Sequence, residues 1–127
     1  MTVPRETEIP RLVVRTWPGD RPGTVVMALH GELDHDTAAP LRTALAERGG
    51  PVRVVVDCAG LRFCDSTGLN VLLGARLRML AEGGLVVLSG LRPPVERMFE
   101  ITGARSVFRV YEDPGAALGD VEPPFVS

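Results

Sequence analysis

Apolar residues along this chain recur with two spacings, every second position and every third or fourth, and the changes between them mark its elements. Arg11–Trp17 alternates, with Leu12 and Val14 on one side and Val13, Arg15 and Trp17 on the other, which predicts a half-buried strand. The turn formers Pro18-Gly19-Asp20-Arg21-Pro22-Gly23 interrupt it, and Thr24–His30 resumes as a second strand. A short loop between two such strands predicts an antiparallel hairpin. Gly31–Asp36 reads as a loop. A helix is expected from Asp36 or Thr37 to about Arg48, its apolar face made by Leu41, Ala44 and Leu45 and its stop by Gly49-Gly50-Pro51.

The valine run in Val52–Asp57 predicts a strand buried on both faces. After a loop over Cys58–Cys64, Ser66–Glu82 carries Leu69, Leu72, Leu73, Leu77 and Leu80 at helical spacing and ends at Gly83-Gly84. Leu85–Ser89 is a further buried strand. Pro93–Thr102 is a helix with proline in its first turn and Val95, Met98, Phe99 and Ile101 as its packing face. A short strand over Ser106–Val110 and a last helix over Asp113–Leu118 complete the order. Strand–helix–strand crossovers need parallel neighbours. The class is therefore α/β: one domain over residues 11–118, its mixed, mostly parallel sheet flanked by about four helices. Residues 1–10 are expected to be a flexible start and 119–127 a loose tail.

Composition narrows the function. Apolar residues are 45% of 127 and aromatics 5%, so the core is aliphatic. The net charge of −2 gives no basic footprint for nucleic acid. All 14 positive residues are arginines, scattered along the chain. No apolar stretch approaches the roughly 20 residues of a membrane span, and no signal peptide is evident, so a cytoplasmic chain without a membrane role is expected. Cys58 and Cys64 are too few for a disulfide framework and are expected to be reduced thiols.

One segment stands out, Phe63-Cys64-Asp65-Ser66-Thr67-Gly68-Leu69, between a strand region and a helix start. Ser66 there is expected to be the N-cap or first residue of the helix, and capping alone accounts for a hydroxyl in that place. Gly68 has an equally plain explanation in close packing. The same position also suits a phosphate, because a helix start offers free N–H donors and partial positive charge. Phosphorylation would add about −1.5 to −2 charges beside Asp65 and repel an acidic or apolar partner without refolding. A serine hydrolase would need a base, and the only histidines are His30 and His35, with no Gly-x-Ser-x-Gly elbow. The acidic loop Glu32, Asp34 and Asp36 has too few ligands for a dedicated cation site. Neither a catalytic activity, a metal nor a cofactor is expected.

Three separated segments share one resemblance. Gly31-Glu32-Leu33-Asp34-His35-Asp36-Thr37-Ala38, Asp57 to Leu73, and Arg92-Pro93-Pro94-Val95-Glu96-Arg97-Met98-Phe99 with Thr102-Gly103 resemble the signatures of bacterial anti-sigma factor antagonists of the STAS-domain family. The resemblance spans about residues 11–118. It implies a non-enzymatic binding module in which Ser66 is the acceptor for a GHKL-type serine kinase that is itself the anti-sigma factor. Unphosphorylated protein would sequester that kinase and release a sigma factor, and a metal-dependent serine phosphatase would reset the switch. It further implies that Asp34 lies near the acceptor and that Asp65, Thr67, Gly68 and Asn70 belong to the partner-binding surface. Asn70 replaces a commoner small residue and is expected to tune partner choice; Cys64 replaces a plain apolar one. A monomer when free is expected. The alternative is a constitutive scaffold or transport-complex subunit of the same fold without phosphorylation.

Overall fold

The computed structural model describes residues 10–47 and 53–119. Five strands run in the order β1 (Leu12–Pro18), β2 (Thr24–Leu33), β3 (Arg53–Cys64), β4 (Leu85–Ser89) and β5 (Val110–Tyr111), each beside its neighbour in sequence. β1 is antiparallel to β2, with Leu12 opposite Gly31 and Pro18 opposite Val25, and the remaining pairs are parallel. The helices are α1 (Ala38–Ala46), α2 (Ser66–Ala81), α3 (Pro93–Thr102) and α4 (Pro114–Gly119). This is the mixed, mostly parallel α/β sheet with four helices that the periodicity predicts.

Strand alternation divides the core between the two faces of the sheet. Met27, Leu29, Val54, Val56, Val86 and Leu88 point to one side, where they meet Leu41 and Leu45 of α1, Leu72 and Met79 of α2, and Val95 and Phe99 of α3. Val26, Val55 and Val87 point to the other, where Ala117 and Leu118 of α4 cover them. Arg53 fastens α4 by donating from Nη2 to the Ala117 carbonyl at 3.0 Å. Each fully buried aliphatic side chain contributes about 1.5–3 kcal/mol, so the three-helix face supplies most of the stability.

Several boundaries differ from the sequence reading. β2 continues through Gly31-Glu32 to Leu33, and β3 continues through the whole of Cys58–Cys64. Their parallel ladder persists to Gly31–Leu61, Glu32–Phe63 and Leu33–Cys64, with register shifts at Ala28/His30 and Gly31/Glu32 that each give β3 one extra residue. Such bulges break the period of two, which is why Ala59, Gly60 and Arg62 read as loop. The expected strand Ser106–Val110 is instead a 3-10 turn, Ala104–Ser106, followed by the two-residue β5. Phe108 there is a core side chain, its ring centroid 6.2 Å from that of Phe99.

In two helices the predicted apolar face is met in part, with Leu69, Leu72, Val95 and Phe99 buried and Leu73 and Met98 packed against the core. In α2 the buried residues are Gly68, Leu69, Val71, Leu72, Ala75 and Met79, while Leu77 is 63% exposed. In α3 Val95 and Phe99 are buried and Ile101 is 75% exposed. α1 ends at Ala46; Arg48, the Gly49-Gly50-Pro51 stop and Val52 lie outside the described residues. So do the expected flexible start and tail, apart from Pro10 and Gly119.

Candidate functional site

β2 and β3 are neighbours that end level with each other, at Leu33 and Cys64, so the aspartates that follow them, Asp34 and Asp65, start adjacent junctions. The Asp65 N–H donates to the Leu33 carbonyl at 3.1 Å, which continues the ladder one step and brings the β2–α1 and β3–α2 junctions together.

Asp65 is the N-cap of α2. Its Oδ1 accepts from the Gly68 N–H at 3.0 Å and its Oδ2 accepts from the His35 N–H at 3.2 Å, so one carboxylate caps the helix and holds the neighbouring loop. Ser66 is therefore the first helical residue, the second of the two placements the sequence allows, and Asp65 takes the cap. It is exposed, and its hydroxyl has no hydrogen-bond partner among the described residues. The second helical residue is Thr67, half-buried, and Asn70 is exposed one turn further on. Gly68 is buried: a Cβ there would lie 2.5 Å from Leu33 Cγ. It lets the first turn of α2 settle on the end of β2, the plain packing role the sequence suggests for it.

Asp34 organises the other junction. Its Oδ1 accepts from the Asp36 N–H at 2.9 Å and the Thr37 N–H at 3.1 Å, and its own N–H donates to the Thr37 hydroxyl at 2.8 Å. Its Oδ2 is paired with Arg11 Nη2. Arg11 also donates from Nε to Glu32 at 3.3 Å and has Nη1 3.7 Å from Asp36. The Thr37 hydroxyl donates to the Glu32 carbonyl at 2.8 Å, so it braces the loop, and α1 starts without a side-chain cap. Partial burial pushes the Asp34 carboxyl upward, but the Asp36 N–H and the Arg11 guanidinium outweigh it and hold the group below its ordinary value. Asp34 reaches the Ser66 helix through the His35 main chain. The acidic loop is thus gathered around Arg11, with Asp36 still 77% exposed. Arg11 was missed because only the β1–β2 register brings it there.

Both histidines are exposed. The His30 ring lies over Gly60, where a Cβ would meet it. Cys58 and Cys64 are free and buried. Burial, together with the Asp65 charge, pushes the Cys64 thiol up to about 12, and burial raises that of Cys58 further, so neither is an activated nucleophile. Among the described residues no group of three metal-ligating side chains occurs, and no helix is long and apolar enough to cross a membrane. The strand order never reverses and α1, α2 and α3 share one face, so the site is an open surface at the strand ends, not a crevice.

A family model described as "Mlab, STAS domain" matches residues 19–109, and the chain belongs to the STAS-domain family. An anti-sigma F factor antagonist of Paenibacillus polymyxa is 31% identical over 103 residues, which cover 79% of this chain and 88% of that protein. The anti-sigma factor antagonist SpoIIAA, solved in its unphosphorylated form, superposes with a TM-score of 0.74 at 24% identity, covering 91% of this chain and all of the other. The Bacillus cell fate determinant SpoIIAA in its phosphorylated form gives 0.68 at 23% identity over 87% of this chain and all of the other. At those identities the two structures establish the shared fold. The class is thus that of the anti-sigma factor antagonists, a family of binding modules.

Proposed function

We propose that this chain is an anti-sigma factor antagonist whose hold on an anti-sigma serine kinase is switched by phosphorylation of Ser66. The observation that carries this reading is the state of that side chain. Ser66 is exposed at the first position of a 16-residue helix with its hydroxyl unengaged, while the carboxylate beside it is already committed to capping. A kinase can take the Ser66 oxygen as nucleophile without dismantling any contact that holds the fold. The Oγ–P bond forms as the bond from the γ-phosphorus of ATP to its bridging oxygen breaks. ADP leaves, and the hydroxyl proton passes to a base on the kinase.

The product carries about −1.5 to −2 added charges at a helix start, where the protein itself tolerates them. A partner surface pressed against Ser66, Thr67 and Asn70 does not. With Asp65 adjacent, the local field is strongly negative and the complex is broken by repulsion and by the cost of desolvating a dianion. Asp34 contributes by fixing the loop whose His35 N–H joins Asp65. In the unphosphorylated state the kinase is sequestered and its sigma factor is free; a metal-dependent serine phosphatase restores that state. The compartment this mechanism requires is the cytoplasm.

The test is labelling by a GHKL-type kinase with ATP, read by intact mass. A single phosphate is expected on the wild type, none on Ser66→Ala, and kinase binding is expected to vanish in Ser66→Asp. Label that survives Ser66→Ala would overturn the site. Equal kinase binding by wild type, Ser66→Ala and Ser66→Asp would replace this reading with the constitutive scaffold.

A further inference from the structure

We infer that the groove between α1 and α2 is the second half of the docking surface, taking a segment of the anti-sigma kinase in which an apolar side chain is flanked by carboxylates. The inference rests on the reading of Ser66 above and adds to it where the partner's chain lies and what chemistry it brings.

Residues four apart share a helix face, and Ser66, Asn70, Gly74 and Arg78 form one such line along α2. The line leads from the proposed acceptor into a groove of about 240 Å³. That volume is below the roughly 300–1,000 Å³ of small-molecule pockets and suits a side chain or two of a protein partner. Its floor is apolar, made by Leu45 of α1 with Val71 and Ala75 of α2. Gly74 keeps it open: a Cβ there meets nothing within 4 Å. Glycine weakens an exposed helix interior relative to alanine, and packing within this chain does not require it here.

The rims define the partner's charge. Arg42 is exposed on α1 and has no ion pair among the described residues. Arg78 donates to the Leu45 carbonyl at 2.5 Å and the Ala46 carbonyl at 3.4 Å, which leaves its guanidinium at the far end of the groove with no carboxylate opposite. Among the described residues no acidic side chain lines the groove, although the chain as a whole carries a net charge of −2. An apolar floor between two cations is complementary to an apolar anchor between anions.

The experiment is titration calorimetry of the full chain against the GHKL-type kinase encoded in the same genome. Gly74→Leu fills the groove and Arg42→Glu reverses one rim; each is expected to weaken binding at least about tenfold, with circular dichroism and melting temperature showing an intact fold. Arg42→Lys keeps the charge and is expected to retain binding. If wild type binds and Ser66→Asp does not, yet Gly74→Leu and Arg42→Glu bind within about twofold of wild type, the groove falls and the Ser66 reading stands. If no such kinase binds the wild type, or Ser66→Asp binds it equally, the Ser66 reading falls and takes this inference with it.

Discussion

Two helix starts lie side by side at the ends of β2 and β3, and they are finished in opposite ways. Before α1, Asp34 follows the strand and gathers the N–H groups of Asp36 and Thr37, while Arg11 neutralises it from outside. Before α2, Asp65 follows the strand, caps Gly68 and reaches across to His35, and the next residue is a free hydroxyl. The loop before the first start is closed by charges already in place, though α1 itself is uncapped; the second start has its cap and, beside it, a hydroxyl able to accept a charge. That difference supports the proposed acceptor Ser66 more firmly than the Asp-Ser-Thr-Gly motif alone. It also separates what holds the surface in shape, Arg11, Asp34 and Asp65, from what it presents, Ser66, Thr67 and Asn70.

The harshest way to break the comparison is to remove the frame common to both starts. Gly31 has φ +117°, and a Cβ there would collide with the Arg11 carbonyl. Neither the backbone of β1 nor that of β2 can yield locally, because the Glu32 N–H donates to the same carbonyl at 2.8 Å. Gly31→Ala is therefore expected to cost about 3 kcal/mol or more, combining a disfavoured φ with overpacking. Urea denaturation measures it, and a loss under about 1 kcal/mol would show that the junction tolerates reshaping.

A smaller change separates cap from acceptor. Asp65→Ala removes the α2 cap and the bond to His35, and is expected to cost about 1–2 kcal/mol. Ser66→Ala one residue later is expected to stay within about 0.5 kcal/mol of wild type, since the hydroxyl has no partner to lose. Thermal melts of the two variants side by side decide it. Equal losses would mean that Ser66 shares the capping role and is less free than its geometry indicates.

The legibility of these features in the sequence follows their physics. Val54, Val55 and Val56 and the helical spacing of α1 to α3 declare an α/β sheet because burial imposes those periods directly. The end of β3 was hidden, since two bulges shift Gly60, Leu61 and Arg62 out of alternation. Leu77 and Ile101 looked like core because helical spacing says which residues share a face, not which face the sheet meets. Of the site, Asp65 and Ser66 were legible as a capped helix start, but two adjacent oxygen-bearing side chains do not reveal which one caps. The partnership of Arg11 with Asp34 is a consequence of strand register, the two standing 23 positions apart in sequence, and no local pattern carries it.

The gentlest probe acts on the closed start alone and uses acid in place of truncation. Asp34 titrates below its ordinary value of 3.8 when folded, so between the two values the unfolded chain binds more protons than the native one. Its contribution is complete above pH 3.8 and is lost as pH falls through the lower, native value. Asp34→Asn keeps an oxygen for the Asp36 and Thr37 N–H groups but removes the charge that Arg11 faces. The wild type is therefore expected to melt above the variant near about pH 7, with the gap closing as acid protonates Asp34. Because Arg11 is about half exposed, salt should narrow the gap as well. A gap unchanged from neutral pH to below 3.8 would mean that Asp34 holds the loop through geometry alone. The contrast between a start closed by charge and one awaiting it would then rest only on Ser66.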